Sequence, residues 1–280
     1  KVVDPANCVV SLVGNLEPDA IVDTIRSILG SKNGDQFFNN SAAGLLRRAG
    51  VLAKALGRQY WSLEGIGKIA TNKKSLDEAL KAVANLPDDL RKKPLVVEAS
   101  NYLSGEWEQM DSRVKSNIVA TARAWIGTIM AHDDLLRWAS AMPEEDSVDI
   151  LTPLHGGRLG FLLPAHRYGR AGSVVTALLK ARIFAALKAR AERSGLQGKE
   201  TPVLFIMDEA QEIATGEDAT MLAIGRSLGL AVVAATQTVE GIIEQLTETT
   251  ARKWLTIFGS ALTLTGRSPE TDKFMAGRAG

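Results

Sequence analysis

The sequence predicts an α/β protein, with a mostly parallel sheet flanked by helices and an all-helical block beside it. Three observations predict this. In the C-terminal half, short apolar runs alternate with amphipathic segments at helical spacing, the signature of strand–helix–strand units. Two of those runs, "VLFIM" (203–207) and "LAVVAATQ" (230–237), are too apolar to keep a solvent face, as in parallel strands covered on both sides. Between about Asp35 and Pro143, strand signals nearly vanish and apolar residues recur at helical spacing.

In chain order, "CVVSLVG" reads as a strand or strand end, and "EPDAIVDTIRSIL" as a helix with Pro18 near its start and Gly30 after its end. "NNSAAGLLRRAGVLAKALG" is helical, and "SLDEALKAVANL" is a helix that Ser75 would cap. "LVVEA" is ambiguous, and "SRVKSNIVATARAWIGTIMA" and "HDDLLRWASAM" are further helices. Beyond "PEEDSVDI" come a strand candidate, "GRLGFLL", and a long helix, "SVVTALLKARIFAALKARAER", with Ser173 at its cap and Gly195 beyond its end. "VLFIM" is then followed by the helix "ATMLAIGRSLG", the strand "LAVVAATQ", the helical stretch "VEGIIEQLTETTARKWL" and a last strand, "TIFGSALTLT". The expected domains are residues 1–35, 36–148 (the helical block) and 149–280.

The chain has 280 residues and a net charge of +1, enough for a real core and without a global charge excess pointing to nucleic acid. A single cysteine, Cys8, excludes an intrachain disulfide framework and reads as a small apolar residue in a reducing compartment. No uninterrupted apolar run is long enough to span a bilayer. The first residues carry neither an initiator Met nor a signal-peptide pattern, so the chain is expected to begin inside a larger protein.

The chemistry-bearing motif is "VLFIMDEAQ". Ligands of parallel sheets sit outside the carboxyl ends of the strands, where Asp208 and Glu209 fall. One carboxylate there can hold Mg²⁺ through water, and the next can orient and deprotonate an attacking water. The competing reading is an acidic cap on the following helix. About thirty residues on, Thr236 and Gln237 end the next strand, where a polar amide can touch a terminal phosphate. Arg226, near the end of the intervening helix, could serve as an arginine finger toward a neighbouring subunit or simply complement the helix dipole.

A phosphate loop needs a glycine, four residues, then Gly-Lys-Ser/Thr. The nearest match is "SLEGIGKIAT", where Ser62 replaces the first glycine and Ile69 the hydroxyl, with no strand before it. It is excluded, and no other Gly-Lys-Ser/Thr occurs. His132, His155 and His166 lack metal-ligand spacing. "HRYGRAG" could meet phosphate ahead of a helix, with a solvated loop slightly favoured. The basic runs "GLLRRAG", "LRKK" and "DSRVKSN" read as solvated faces, and Trp61, Trp107, Trp125 and Trp138 as packing.

The order of an all-helical block ending in "DDLLRWA", then "GRLGFLLPAHRYGRAGSVVTALLKARIFAALKAR", "PVLFIMDEAQEI", "GRSLGLAVVAATQT" and "TGRSPETDKF", resembles the type IV secretion coupling proteins. These are hexameric RecA-like ATPases of conjugative DNA transfer, with an all-α domain inserted into the nucleotide-binding domain. The resemblance is strongest from about Gly157 to Phe274. It implies that Asp208 and Glu209 are the Walker B pair, that Gln237 senses the γ-phosphate with Thr236 beside it, and that Arg226 acts in trans. "SPET" (268–271) matches a recurring loop to which no role is assigned. ATP and Mg²⁺ are the implied cofactors. DNA, relaxase and relaxosome proteins, secretion-channel components and other copies of the chain are the implied partners. The implied setting is the cytoplasmic side of a bacterial inner membrane, with the family's membrane anchor and phosphate loop lying upstream of the helical domain. The alternatives are an adaptor that binds DNA or protein without hydrolysis, and another secretion ATPase or a helicase. The helicase is disfavoured because "ATQT" stands at the following strand end and no Ser-Ala-Thr motif is present.

Overall fold

The computed structural model describes residues 1–30, 35–57, 59–194, 201–264 and 268–279. They form two compact units. The first comprises Lys1–Ile150 with Leu159–Arg182, the second Leu151–Arg158 with Ile183–Gly280.

The first unit opens on β1 (Val2–Val3), and α1 (Pro18–Leu29) follows with Pro18 in its first turn and Gly30 closing it through an N–H bond to the Arg26 carbonyl. Asp35 caps α2 (Gln36–Leu56), and Ser62 caps α3 (Leu63–Thr71) by accepting from the Gly65 N–H. The rejected phosphate-loop match is thus an ordinary capped helix. The next helix starts two residues before the expected cap. Asn72 accepts from the Ser75 N–H, and α4 runs Lys73–Ala84, because the amide side chain of Asn72 already supplies the cap. After α5 (Asp88–Arg91), the ambiguous "LVVEA" lies in α6 (Pro94–Asn101), with Pro94 at its start and no strand beside it. A π turn (Tyr102–Glu106) joins it to α7 (Trp107–Gln109), and α8 (Ser112–Met130) and α9 (Asp133–Ser140) complete the block.

The chain then returns to β2 (Gly160–Phe161), which pairs in parallel with β1 in the register Val2↔Gly160, Val3↔Phe161. All the helices from α1 to α9 are therefore an excursion between two adjacent parallel strands. "GRLGFLL" keeps only these two strand residues, and "CVVSLVG" is not a strand. Its backbone is satisfied locally instead: Val9 exchanges bonds with Ser147, and the Ser11 N–H donates to the Asp146 carboxylate. The core of the block is the α2 face of Ala42, Leu45, Leu46, Ala49, Leu52 and Ala53, with Trp61, Trp107, Trp125 and Trp138 buried as expected. The basic runs are paired within the unit: Arg47 with Asp19 and Asp23, Arg48 with Glu98, and Arg91 and Lys92 with Asp88. Cys8 donates to the Asp4 carbonyl at 3.2 Å, and burial pushes its thiol pKa up, which fits an unreactive residue.

The long helix α10 (Ala165–Ser194) begins before the expected cap; Ser173 lies inside it, buried. Gly169, at φ 48° and ψ −135°, breaks the helical geometry between the two pieces. "HRYGRAG" therefore spans the kink between the two helical pieces; within it Tyr168 is buried and donates to Asp134 at 3.2 Å, with Arg167 ion-paired to the same carboxylate. The predicted Gly195 lies outside the described residues.

One buried ion pair ties the first unit together. Arg182 bonds the Asp146 carboxylate at 3.0 Å, the Ser11 carbonyl and Asn15 Oδ1, while Asp146 also accepts from Ser11. Gly14, at φ 39°, is required here, because a Cβ would fall 2.0 Å from Arg182 Nε. Removing one partner of a buried pair strands the other charge. Asp146→Ala is expected to destabilise this unit by about 3–5 kcal/mol, measured by urea denaturation, with Gly14→Ala also destabilising. A loss below about 1 kcal/mol for Asp146→Ala would contradict this role.

The second unit carries the alternating pattern. β3 (Val203–Met207) is followed by α11 (Ala210–Ile213) and α12 (Gly216–Ile224), then by β4 (Leu230–Ala234), α13 (Val239–Gln245), α14 (Glu248–Ile257) and α15 (Pro269–Ala279). β3 and β4 pair in parallel over five residues each, from Val203↔Leu230 to Met207↔Ala234. "VEGIIEQLTETTARKWL" splits in two because Leu246 is extended and Thr247 caps a new helix. The expected last strand does not form among the described residues. Thr256 and Ile257 end α14, and Leu262 and Leu264 are exposed. Inside, Met207, Ala210, Val239, Ile242, Ala251 and Trp254 make one core. The expectation that "VLFIM" lacks a solvent face is corrected. Leu204 (60% exposed), Ile206 (67%) and Val233 (53%) face outward because, among the described residues of this unit, the helices pack on the other side of the pair.

Candidate active site at the strand ends

Parallel strands deliver their carboxyl ends to one edge, and the register is continued there by two backbone bonds. The Ala235 N–H donates to the Met207 carbonyl, and the Ala210 N–H to the Ala235 carbonyl, both at 2.8 Å. Residues 208–211 and 235–237 are thereby held side by side. Of the sequence-predicted residues, Asp208, Glu209, Thr236 and Gln237 come together here.

Asp208 is exposed, and its Oδ1 accepts from the Glu209 N–H at 3.0 Å. Oδ2 takes no hydrogen bond among the described residues, so a carboxylate oxygen stays open to solvent at the strand end. Glu209 sits at φ 49° and ψ 50°, the one non-glycine residue with positive φ among those described. That left-handed geometry costs an L-residue about 1–2 kcal/mol, and it turns the side chain toward the neighbouring strand end instead of into a cap. Glu209 stands at the N-cap position of α11, but its side chain makes no cap bond there.

The Glu209 carboxylate is met by two amides. Gln237 Nε2 lies 3.1 and 3.2 Å from its two oxygens, and Gln211 Nε2 donates to Oε2. Thr236 Oγ1 lies 2.8 Å from Gln211 Oε1 and 3.0 Å from the Thr238 carbonyl. Gln211 is a site residue that sequence reasoning missed. Its signal is the spacing: two residues beyond Glu209 in "DEAQ", the helical turn brings its amide back onto the carboxylate.

Arg226 does not join this group. It lies exposed in the turn after α12 and leads into the amino end of β4, the opposite end of the strand from Gln237. Five strand residues at about 3.3 Å each separate the two ends. Among the described residues no cluster of His, Cys, Asp and Glu has metal-binding geometry. His132 stacks edge-on against Tyr168 at 5.6 Å, and His166 and His155 are exposed. No helix among the described residues is long and apolar enough to cross a membrane.

Residues 202–280 match the family model described as the TraM recognition site of TraD and TraG. The solved structures similar to this chain include bacterial conjugative coupling protein TrwBdeltaN70 in a trigonal form with sulphate (17% identity, TM-score 0.59, covering 92% of this chain and 56% of that one). Plasmid coupling protein TrwB with ADP and Mg²⁺ is similar at 16% identity and TM-score 0.57, covering 92% of this chain and 57% of that one. The same protein with the ATP analogue ADPNP matches at 17% identity and TM-score 0.57, with the same coverages. The resemblance to the type IV secretion coupling proteins holds. The chain spans just over half the length of the coupling-protein structures it matches. A search of the curated proteins by sequence returned no match.

The left-handed position of Glu209 is a stability cost at the site. Glu209→Gly is expected to stabilise the second unit by about 1 kcal/mol in urea denaturation, because glycine adopts this backbone freely. Glu209→Ala is not expected to do so. Equal or lower stability for the glycine variant would show that the carboxylate contacts outweigh the backbone strain.

Proposed function

We propose that this chain is part of an ATP-driven motor of conjugative transfer, RecA-like in its nucleotide-binding fold. In this reading residues 1–35 and 149–280 belong to the nucleotide-binding domain, and residues 36–148 are its inserted all-α domain. The observation that carries the reading is the Glu209 carboxylate at the end of β3, turned by its left-handed backbone onto Gln237 at the end of β4.

The residues present fit the implied cofactors. Asp208 has an open carboxylate oxygen where it would hold Mg²⁺ through water. A bound Mg²⁺ supplies charge neutralisation on the phosphates. Glu209 takes a proton from the attacking water, with its lone pairs oriented by the amide of Gln211. Gln237 exchanges this carboxylate for the terminal phosphate of ATP and so reports that phosphate's presence, with Thr236 beside it. Arg226, at the far end of β4, acts on a neighbouring copy's site in a hexameric ring. The solved coupling-protein complexes with ADP and Mg²⁺ and with ADPNP support a nucleotide site in this fold. The motor reading draws its phosphate loop from the parent protein, upstream of the helical domain, since the nearest match within these 280 residues is helix α3.

The matched region supports a partner for this reading. Residues 202–280 would meet a relaxosome protein of the TraM kind, and the motor would pass DNA with its relaxase to the secretion channel at the inner membrane. A second reading, an adaptor without hydrolysis, is favoured by the same helical "SLEGIGKIAT", because no phosphate loop is found among the described residues.

DNA-stimulated ATP turnover by the full-length parent separates the two. Glu209→Gln is expected to lower kcat by about 10²–10⁴-fold with nucleotide binding retained. Turnover unchanged by the substitution, or no turnover in the unsubstituted parent with ring and DNA present, would overturn the motor reading.

A further inference from the structure

The "SPET" segment has no role in the proposed hydrolysis, yet it is bonded to the start of α13, just beyond the strand-end site. Ser268 Oγ lies 2.6 Å from Glu240 Oε2 and 2.7 Å from Thr271 Oγ1. The Thr271 N–H donates to Ser268 Oγ at 3.2 Å, so Ser268 also caps α15. Thr271 Oγ1 accepts from the Val239 N–H at 3.1 Å and lies 3.3 Å from Glu240 Oε2. The Ser268 hydroxyl holds the Glu240 carboxyl below its ordinary pKa, as a bond to the charged form does.

Val239 is the first residue of α13, and its N–H is one of the donors that a helix start leaves unpaired. Thr238 caps the same helix from within, accepting from the Gly241 N–H at 3.1 Å. The Val239 N–H is taken by Thr271, across 32 residues of sequence. Gln237 therefore sits in a short turn fixed at both ends. Thr236 ties one end to Gln211, and Thr271 ties the other to α15. An exposed amide–carboxylate contact is weak against water, so the Gln237–Glu209 pair forms only where the backbone delivers the amide to it.

We infer that Ser268, Thr271 and Glu240 form a latch that positions Gln237 on Glu209, so that α15 sets the geometry of the strand-end pair. These are positioning residues, acting through Val239. The inference rests on the reading of Glu209 and Gln237 as the hydrolytic pair, but its test needs no nucleotide.

The test is NMR of the ¹⁵N-labelled 280-residue chain, following the Val239 backbone amide and the Gln237 side-chain amide, the latter assigned with a Gln237→Leu variant. Thr271→Val removes the acceptor with little change in volume. It is expected to speed Val239 exchange tenfold or more and to move the Gln237 side-chain signal to that of a free glutamine. Thr271→Ser, which keeps the hydroxyl, should restore both. Glu240→Gln, which keeps an acceptor for Ser268, should give a smaller shift of the Gln237 signal in the same direction. Faster Val239 exchange with the Gln237 signal unmoved would reduce the latch to a local cap and overturn the proposal. Equal acceleration of the β3 amides in Thr271→Val, with no shift in Glu240→Gln, would overturn it as well. Loss of ATP turnover in the parent would leave these readouts unaffected, so failure of the motor reading and failure of the latch can be told apart.

Discussion

Two backbone bonds at 2.8 Å, Ala235 N–H to Met207 and Ala210 N–H to Ala235, carry the second unit's chemistry. They extend the parallel pairing of β3 and β4 past the strand ends. A slip of one residue would turn the inward side chains outward and separate Glu209 from Gln237. Register is specified here by the inward set of Val203, Met207 and Leu230, buried against the helices, more than by the outward set, which is equally apolar but uncovered. The same pairing supports the left-handed residue at Glu209. A strained backbone persists only where its surroundings over-determine it, and the residues on either side of Glu209 are fixed by β3 and by the Ala210 bond.

The first unit solves a different problem. Its helices leave and rejoin a two-residue parallel pairing, so little sheet holds the excursion's ends together. Arg182 and Asp146 supply what the short ladder does not. They gather the loop at Ser11, the segment after α9 and the long helix α10 in one buried, hydrogen-bonded group. Gly14 has no side chain because the guanidinium occupies the space where one would be.

Much of this was legible in the sequence, and the failures have physical causes. The helices of the block, β3, β4 and the meeting of Asp208, Glu209, Thr236 and Gln237 follow from periodicity and from the rule that parallel strands present their ligands at their carboxyl ends. Strand "CVVSLVG" failed because Ser147 and Asp146, more than 130 residues away, take its backbone bonds. Strand "TIFGSALTLT" failed at its start because Thr256 and Ile257 continue α14 and Phe258 packs on Trp254. Caps at Ser75 and Ser173 failed because a better-placed Asn72 and a glycine-broken first turn extend those helices at their amino ends. The left-handed Glu209 and the bonds from Ser268 and Thr271 are tertiary facts that no local pattern announces, whereas Gln211 could have been read from its spacing in "DEAQ".

In the proposed motor, Glu209 and Gln237 act as one unit. A double-mutant cycle on ATP turnover by the full-length parent tests this most directly, with Glu209→Gln and Gln237→Ala made singly and together. Strong non-additivity is expected, with the double variant no slower than Glu209→Gln within about threefold. Losses that multiply independently would contradict it, leaving the contact between the two side chains as a feature of the fold without a shared role in the chemistry.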